Sequence, residues 1–418
     1  MKQNEINRRN FLKAVGAAGL GSVVTGSEVF AEPNQPTTPA KTQKPHHVTV
    51  PRRKLGKLTQ PSDKGPVPVE VPCLSLGTMF NVMDNQAALI ESLKWGVNYW
   101  DSAYSYAGGN SELGIGKFLS RNPKVRKNLF ITSKASDAKN IANIEKRLQE
   151  SLRRMNTKYI DLYYGVHGLS DPSRLTDELK QWGESAKKRG LIRFFGVSTH
   201  KNMARCLSAV AKVNWIDAVL VKYNFREMQN PRMQAAIDAC YKAGIGLTAM
   251  KTVRGQKITS EEDRRLTDHF IKRGLTVAQA KIKVVMQDKR ISSVCVGRGN
   301  VRELKENIAV ALDKTKLTSQ DMDVFRQIAG DTCSEYCAGC AHICDAALPQ
   351  MPYVSDIMRY MMYYNRYDEK NTAMRLFAGL PTRVRECLLT TDYQSAERQC
   401  PQRMPISLLM AEAARKLA

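Results

Sequence analysis

Four side chains in the first half of the chain have types and spacing suited to proton handling at a carbon–oxygen bond: Asp101, Tyr106, Lys134 and His167. Asp101 opens the stretch Asp101-Ser102-Ala103-Tyr104-Ser105-Tyr106, Lys134 closes the run LFITSK, and His167 closes IDLYYGVH. A phenol exchanges protons poorly near neutral pH because its unperturbed pKa is ~10, so a tyrosine used as a proton donor needs a cation beside it. Lys134 is suited to be that cation, Asp101 to hold and orient the ammonium, and His167 to hydrogen-bond a substrate oxygen. Taken singly, each residue has a bland reading as a satisfied rim side chain or a structural ion pair. Their joint appearance at consecutive strand ends favours catalysis.

A second concentration of reactive side chains follows Gly330: Cys333, Cys337, Cys340, Cys344, Cys387 and Cys400, out of 10 cysteines in all. Cys337-Ala338-Gly339-Cys340 with Cys344 four residues on places three thiols on one turn-rich stretch, and Cys400-Pro401 offers a fourth from a distance, as iron–sulfur clusters often require. The expectation is one [4Fe-4S] cluster on Cys337, Cys340, Cys344 and Cys400. Disulfides and zinc compete with it, and Cys333 is a substitute for one ligand. Cys73, Cys206, Cys240 and Cys295 read as ordinary barrel thiols.

The elements that must position these groups follow from the apolar pattern. From Pro72 onward, eight short apolar runs (CLSLGTM, GVNYWD, LFITSK, IDLYYGVH, RFFGVST, AVLVKYN, IGLTAMK and SSVCVGR) alternate with amphipathic stretches, the signature of parallel strands covered by helices. From Asn140 to Asn156, Ile141, Ile144, Leu148, Leu152 and Met155 recur at spacings of three and four, which predicts a helix. Further helices are expected to begin near Asn85, Pro172, Met203, Pro231, Thr276 and Val301. Eight strand–helix units over roughly 250 residues predict an α/β protein of the (β/α)8 TIM-barrel class, whose chemistry sits at the C-terminal ends of the strands. No GxGxxG follows an early strand, which counts against a Rossmann fold. The expected division is a barrel over 48–325 and a small, mainly helical, cysteine-rich domain over 330–418.

Before the barrel, Arg8-Arg9-Asn10-Phe11-Leu12-Lys13 precedes a Gly/Ala-rich apolar run and Val29-Phe30-Ala31. Charge, apolar run and small residues come in the order of a twin-arginine export signal over 1–31, and the Pro/Thr/Lys-rich stretch 32–47 reads as a linker. Export as a folded protein by the twin-arginine machinery, to the periplasm or cell envelope, is therefore expected. No later segment reaches ~18 uninterrupted apolar residues, so no stable membrane span is expected. Lys and Arg number 64 against 40 acidic residues, giving +24, but they are dispersed and carry no aromatic-interleaved basic motif, so nucleic acid is not an expected partner.

Over roughly residues 50 to 315 the chain resembles the aldo/keto reductase family. The resemblance is carried by Asp101-Ser102-Ala103 with Tyr106 five residues after the aspartate, by Lys134 and His167, by Glu112-Leu113-Gly114-Ile115-Gly116, and by Gly196-Val197-Ser198. It implies hydride transfer between a nicotinamide and a small carbonyl or alcohol, with sugars among the substrates considered and Tyr106 as general acid in the reducing direction. NADP is the implied cofactor ahead of NAD, held by Gly77, Thr78, Ser198, Tyr223, Lys251, Gly297, Arg298, Arg302 and Asn307. The sequence departs from the family pattern at Thr199, Leu220 and Met250. The tail is similar to ferredoxin-like extensions on some relatives, but CLLTTDYQSAERQCP replaces the run needed for a second cluster. The alternative expectation is a barrel kept as a binding or electron-transfer module, with the cluster exchanging electrons with a redox partner.

Overall fold

The computed structural model describes residues 48–253, 261–297 and 300–418; the expected signal and linker, and Arg298, lie outside them. Eight parallel strands close a barrel in the order β10-β3-β4-β5-β6-β7-β8-β9. They are β3 (Leu74–Gly77), β4 (Tyr99–Asp101), β5 (Phe130–Lys134), β6 (Ile160–His167), β7 (Ile192–Thr199), β8 (Ala218–Lys222), β9 (Gly246–Met250) and β10 (Ser293–Val296). Each falls on one of the eight apolar runs, and nearly every strand residue is buried because the barrel interior takes one face and the helices the other.

An antiparallel hairpin, β1 (Arg52–Gln60) and β2 (Val67–Pro72), precedes the barrel. Leu55, Leu58, Val69 and Val71 point inward and join Tyr99, Phe130, Leu162, Tyr164, Phe194 and Leu220 in the core that fills the barrel. The hairpin meets the N-terminal end of β9: Lys57 N–H donates to Gly244 O at 2.8 Å. Gly56, at φ 56°, is required there, since a Cβ would stand 2.3 Å from Gly244 O. This end is thereby plugged, leaving the other for chemistry.

The covering helices begin close to the expected points at Gln86, Ile141, Met203, Pro231, Val277 and Val301. Near Pro172 the chain makes only a short 3₁₀ turn, Pro172–Arg174, and the helix proper runs Asp177–Lys188. Leu175 and Thr176 leave the helical conformation, and the Thr176 hydroxyl then caps the helix by accepting from Leu179 N–H at 3.2 Å. A helix over Glu261–Ile271, not anticipated from the sequence, precedes Val277–Met286.

After the helix Ser319–Asp331 the chain folds into short helices, chiefly Ala341–Ala347, Val354–Arg366, Lys370–Ala378 and Ile406–Lys416. Their apolar faces make a second core around Val354, Ile357, Met361, Phe377, Ile406 and Met410. Among the described residues no helix is long and apolar enough to cross a membrane.

Candidate active site

The ends of β4, β5 and β6 bring Asp101, Lys134 and His167 onto one rim, and the turn beginning at Tyr106 adds the fourth side chain. The Lys134 ammonium donates to Asp101 Oδ2 at 2.7 Å, to Oδ1 at 2.9 Å and to the Ser102 carbonyl at 2.6 Å. Asp101 Oδ1 also accepts from the Thr132 hydroxyl at 2.7 Å. Lys134 Nζ stands 4.6 Å from the Tyr106 ring centroid, and the Tyr106 and His167 rings meet edge to face at 6.4 Å. These oxygens fix the ammonium in place facing the Tyr106 side chain, with which it also interacts.

Burial alone would lower the Lys134 pKa, but the Asp101 charge, helped by Tyr106, outweighs it and holds the ammonium above its ordinary value. Burial pushes the Tyr106 phenol up; Lys134 pulls it back without fully offsetting that effect. Tyr106 is therefore a protonated donor at neutral pH, which suits the acid role better than the base role. For His167, burial and then the charges of Lys134 and Lys251 depress the pKa to about 3, so the ring is neutral.

Its orientation comes from a serine relay that sequence reasoning missed. The Ser105 hydroxyl donates to Ser136 Oγ at 2.9 Å, and Ser136 Oγ lies 3.0 Å from His167 Nδ1. Ser136 Oγ also accepts from Ser105 N–H at 3.4 Å, so with both lone pairs engaged its proton is the one left for Nδ1, an arrangement that favours the tautomer with Nε2–H as the donor of the neutral ring. Glu112 sits buried behind this rim, accepting from Ser133 Oγ at 2.6 Å and facing Arg154 at 3.4 Å. The glycines after it let its helix approach closely, for a Cβ on Gly116 would lie 2.1 Å from Arg154 O.

Beside Tyr106 opens a cavity of about 670 Å³, a size ordinary for small-molecule sites. Of the residues expected to hold a nucleotide, Gly77, Lys251, Gly297 and Asn307 line it together with Asp101 and Tyr106. Gly77 and Gly297 are in backbone contact: a Cβ on Gly297 would fall 1.9 Å from Gly77 O. Asn300 caps the N-terminus of the helix Val301–Leu312 on the same wall. Thr78, Ser198 and Tyr223 are turned elsewhere. The Thr78 hydroxyl donates to the Asp101 carbonyl at 2.9 Å, Ser198 Oγ accepts from Gly168 N–H at 3.0 Å, and the Tyr223 hydroxyl donates to Asp288 at 2.8 Å. Arg302 extends into solvent and pairs with Glu306 at 3.2 Å.

Several lining residues were not anticipated. Cys295, expected to be an ordinary barrel thiol, borders the cavity next to the Asp101–Lys134 pair, which act on its ionisation. Tyr367, Asp368 and Glu369, from the tail, form part of its lip, and Glu303 lines it too. Lys251, at φ 57°, reaches the Tyr363 hydroxyl at 3.3 Å.

Cys337, Cys340, Cys344 and Cys400 line a separate small cavity with Met358 and Ile406, whereas Cys333 borders a different one. All ten thiols are free. Burial raises the Cys337, Cys340 and Cys344 thiols, Cys340 to about 12. Among the described residues no three His, Cys, Asp or Glu close on a common point tightly enough for a metal ion. The cysteine loop is fastened to the barrel by Lys222, a buried lysine at the end of β8. Its ammonium donates to Ala338 O at 3.1 Å and Cys337 O at 3.4 Å, and pairs with Glu227 at 3.0 Å.

Comparison with known proteins matches residues 74–329 to the model of the aldo/keto reductase family. The uncharacterized oxidoreductase YqkF of Bacillus subtilis is 22% identical over 305 residues, 66% of this chain and 95% of that protein. The aldo-keto reductase yakc [NADP(+)] of Schizosaccharomyces pombe is 29% identical over 216 residues, 47% of this chain and 59% of its own length. Among solved structures, holo aldo-keto reductase AKR11C1 from Bacillus halodurans aligns with a TM-score of 0.54 at 21% identity, covering 67% of this chain and 96% of its own. The thermostable aldo-keto reductase Tm1743 with the inhibitor epalrestat aligns at 0.52 and 24% identity, covering 65% and 99%. The matched segment runs from the first barrel strand to beyond the last and carries the whole polar rim, and on that match this chain belongs to the aldo/keto reductase family.

Proposed function

We propose that the chain is a nicotinamide-dependent reductase of small carbonyl compounds, sugars included, or a dehydrogenase of the corresponding alcohols. The observation that carries this reading is the buried Asp101–Lys134 pair against the Tyr106 ring, beside neutral His167 and a cavity of about 670 Å³. A nicotinamide there would supply the hydride. His167 Nε2–H and the Tyr106 hydroxyl would hold the substrate oxygen, and Tyr106 would give its proton to the developing alkoxide while Lys134 stabilises the tyrosinate left behind. Gly77, Gly297, Asn307 and the capped helix start at Asn300 are suited to hold the nucleotide. NADP(H) is favoured over NAD(H) by the name of the fission-yeast relative, whereas the carboxylates Glu303, Asp368 and Glu369 on the lip work against a 2′-phosphate. Tyr106→Phe should lower carbonyl reduction by ~10²–10⁴-fold with nucleotide binding retained. Undiminished reduction, or a wild-type protein with no affinity for either nucleotide, would sink this reading.

We further propose one [4Fe-4S] cluster on Cys337, Cys340, Cys344 and Cys400, and folded export through the twin-arginine machinery to the periplasm or cell envelope. The cluster is supported by the shared cavity and by buried cations: Lys222 and Arg359 both act on Cys337, offsetting the negative charge that four thiolates would bring. Export is supported by the order of residues from Arg8 to Ala31. The same thiol cavity keeps alive the second reading, a barrel that binds and a tail that exchanges electrons with a redox partner. Anaerobic purification with iron, sulfide and released-nucleotide analysis separates the two: iron without nucleotide selects the second.

A further inference from the structure

A further cavity, of about 770 Å³, shares no residue with the one beside Tyr106. It lies between the loops that follow β7 and β8 and the cysteine-bearing tail, and nothing in the proposed reaction uses it. Its wall is apolar, with Met203, Met233, Tyr336, Ile343 and Pro401. Its charged residues are mostly arginines: Arg226, Arg232, Arg326 and Arg403.

Arg226 is held in place, donating to Thr332 Oγ1 at 2.5 Å and to the Ala329 and Thr332 carbonyls at 3.4 Å each. Glu227, the carboxylate in the lining, is engaged by Lys222 at 3.0 Å and the Tyr336 hydroxyl at 2.8 Å, so it offsets little of the arginine charge. Arg326 pairs with Asp323 on its own exposed helix turn, an interaction weak enough to be exchanged for a better anion. The chain's +24 adds long-range attraction for an anion.

We propose that this cavity is a binding site for a flat organic anion, a fused aromatic ring system bearing a phosphate, of the size of flavin mononucleotide. The volume sits well inside the ~300–1,000 Å³ range of small-molecule sites. Methionine adapts to aromatic faces, and guanidinium groups take a phosphate by paired hydrogen bonds. Cys340 lines the wall and Pro401 directly follows Cys400, so the ring would lie against the cysteine loop. The site goes beyond the reductase reading; it shares Cys340 and Pro401 with the thiol cavity, but its four arginines lie outside that cavity.

The test titrates the full chain with flavin mononucleotide and, as its uncharged counterpart, riboflavin, following flavin fluorescence. Flavin mononucleotide should bind at least about tenfold more tightly, a difference of ~1.4 kcal/mol. The advantage should shrink at high ionic strength and vanish in the Arg232→Gln/Arg403→Gln variant, whose changes are on the surface and leave the fold intact. NADP should not displace the flavin. Equal binding of the two flavins, binding of neither, an unaffected arginine variant, or displacement by NADP would each overturn the proposal.

Discussion

Replacing Lys134 by methionine separates what the lysine does for the fold from what it does for the reaction. Its ammonium lies 2.7 Å from Asp101 Oδ2, and both side chains are almost wholly withdrawn from solvent. At that separation and an effective dielectric constant of ~20, the attraction is roughly 6 kcal/mol before desolvation is subtracted. Deleting one partner leaves Asp101 charged and buried with the Thr132 hydroxyl and the weakly donating Cys295 thiol as side-chain partners, which costs ~3–5 kcal/mol of folding stability. Deleting both, as Asp101→Asn/Lys134→Met, removes the stranded charge, keeps the Thr132 hydrogen bond and nearly preserves volume. The double variant should therefore recover to within ~1–2 kcal/mol of the parent, since replacing a buried pair by neutral groups is often close to neutral. Activity should not recover, because Tyr106 has lost its cation in both variants. Denaturant melts of the parent, two single variants and the double complete the cycle, with carbonyl reduction measured on each. A double variant as unstable as Lys134→Met alone, or one that regains activity, would refute the reasoning.

Acid should weaken the fold through His167, whose pKa drops to about 3 on folding. Below its ordinary ~6.5 the unfolded chain takes up the proton and the folded one does not, so stability is full above pH ~6.5 and falls by about 1.4 kcal/mol per pH unit toward pH ~3. Melts across that range should show a shallower slope in His167→Gln, with the remainder carried by His200, depressed chiefly by Lys251, and by carboxylates held low such as Glu145 beside Arg189; an unchanged slope refutes the assignment. Gly297→Ala places a methyl against Gly77 O, so melts should show a loss of ~1–3 kcal/mol and titration a weaker nucleotide affinity; parental affinity would show that the contact does not shape the site. Lys222→Met strands buried Glu227 and should cost ~3–5 kcal/mol, with amide exchange at Cys337 and Ala338 accelerated; adding Glu227→Gln should restore the stability but not the slow exchange, and slow exchange in the single variant counts against Lys222 as the fastener.

The barrel is legible in the sequence because strands buried on both faces write themselves as apolar runs, and eight such runs became eight strands. The hairpin is not, since Arg52–Gln60 reads RRKLGKLTQ and its inward positions Leu55 and Leu58 are two among cations. At the rim, Asp101, Lys134 and His167 stand out because charged or polar residues ending apolar runs are conspicuous. Ser105, Ser136 and Cys295 do not, being small residues whose importance lies in whom they touch. Tyr223 illustrates the opposite case: the resemblance names it among residues that hold the nucleotide, but its hydroxyl is engaged by Asp288 and Gln234 and it does not line the cavity. The lip residues Tyr367–Glu369 were illegible because they return to the barrel from a distant part of the chain, by packing that no local pattern records.

That return bears on how the two halves of the molecule work together. His167 pairs in register with Ser198. Two residues on, the His200 carbonyl packs so closely on the cysteine loop that a Cβ on Gly339 would stand 2.9 Å from it. Asn202 N–H then donates to the Gly339 carbonyl at 2.7 Å. The loop carrying Cys337 and Cys340 is thus laid on the end of the strand beside His167, and the helices behind it supply the lip of the cavity next to Tyr106. A ligand in that cavity touches residues of both halves, so its binding energy also holds the tail in place, and by linkage a displaced tail lowers its affinity. On the proposed reading, in which the protein is exported folded with its nucleotide bound, release has to be slow, and a lip built from the tail would slow it.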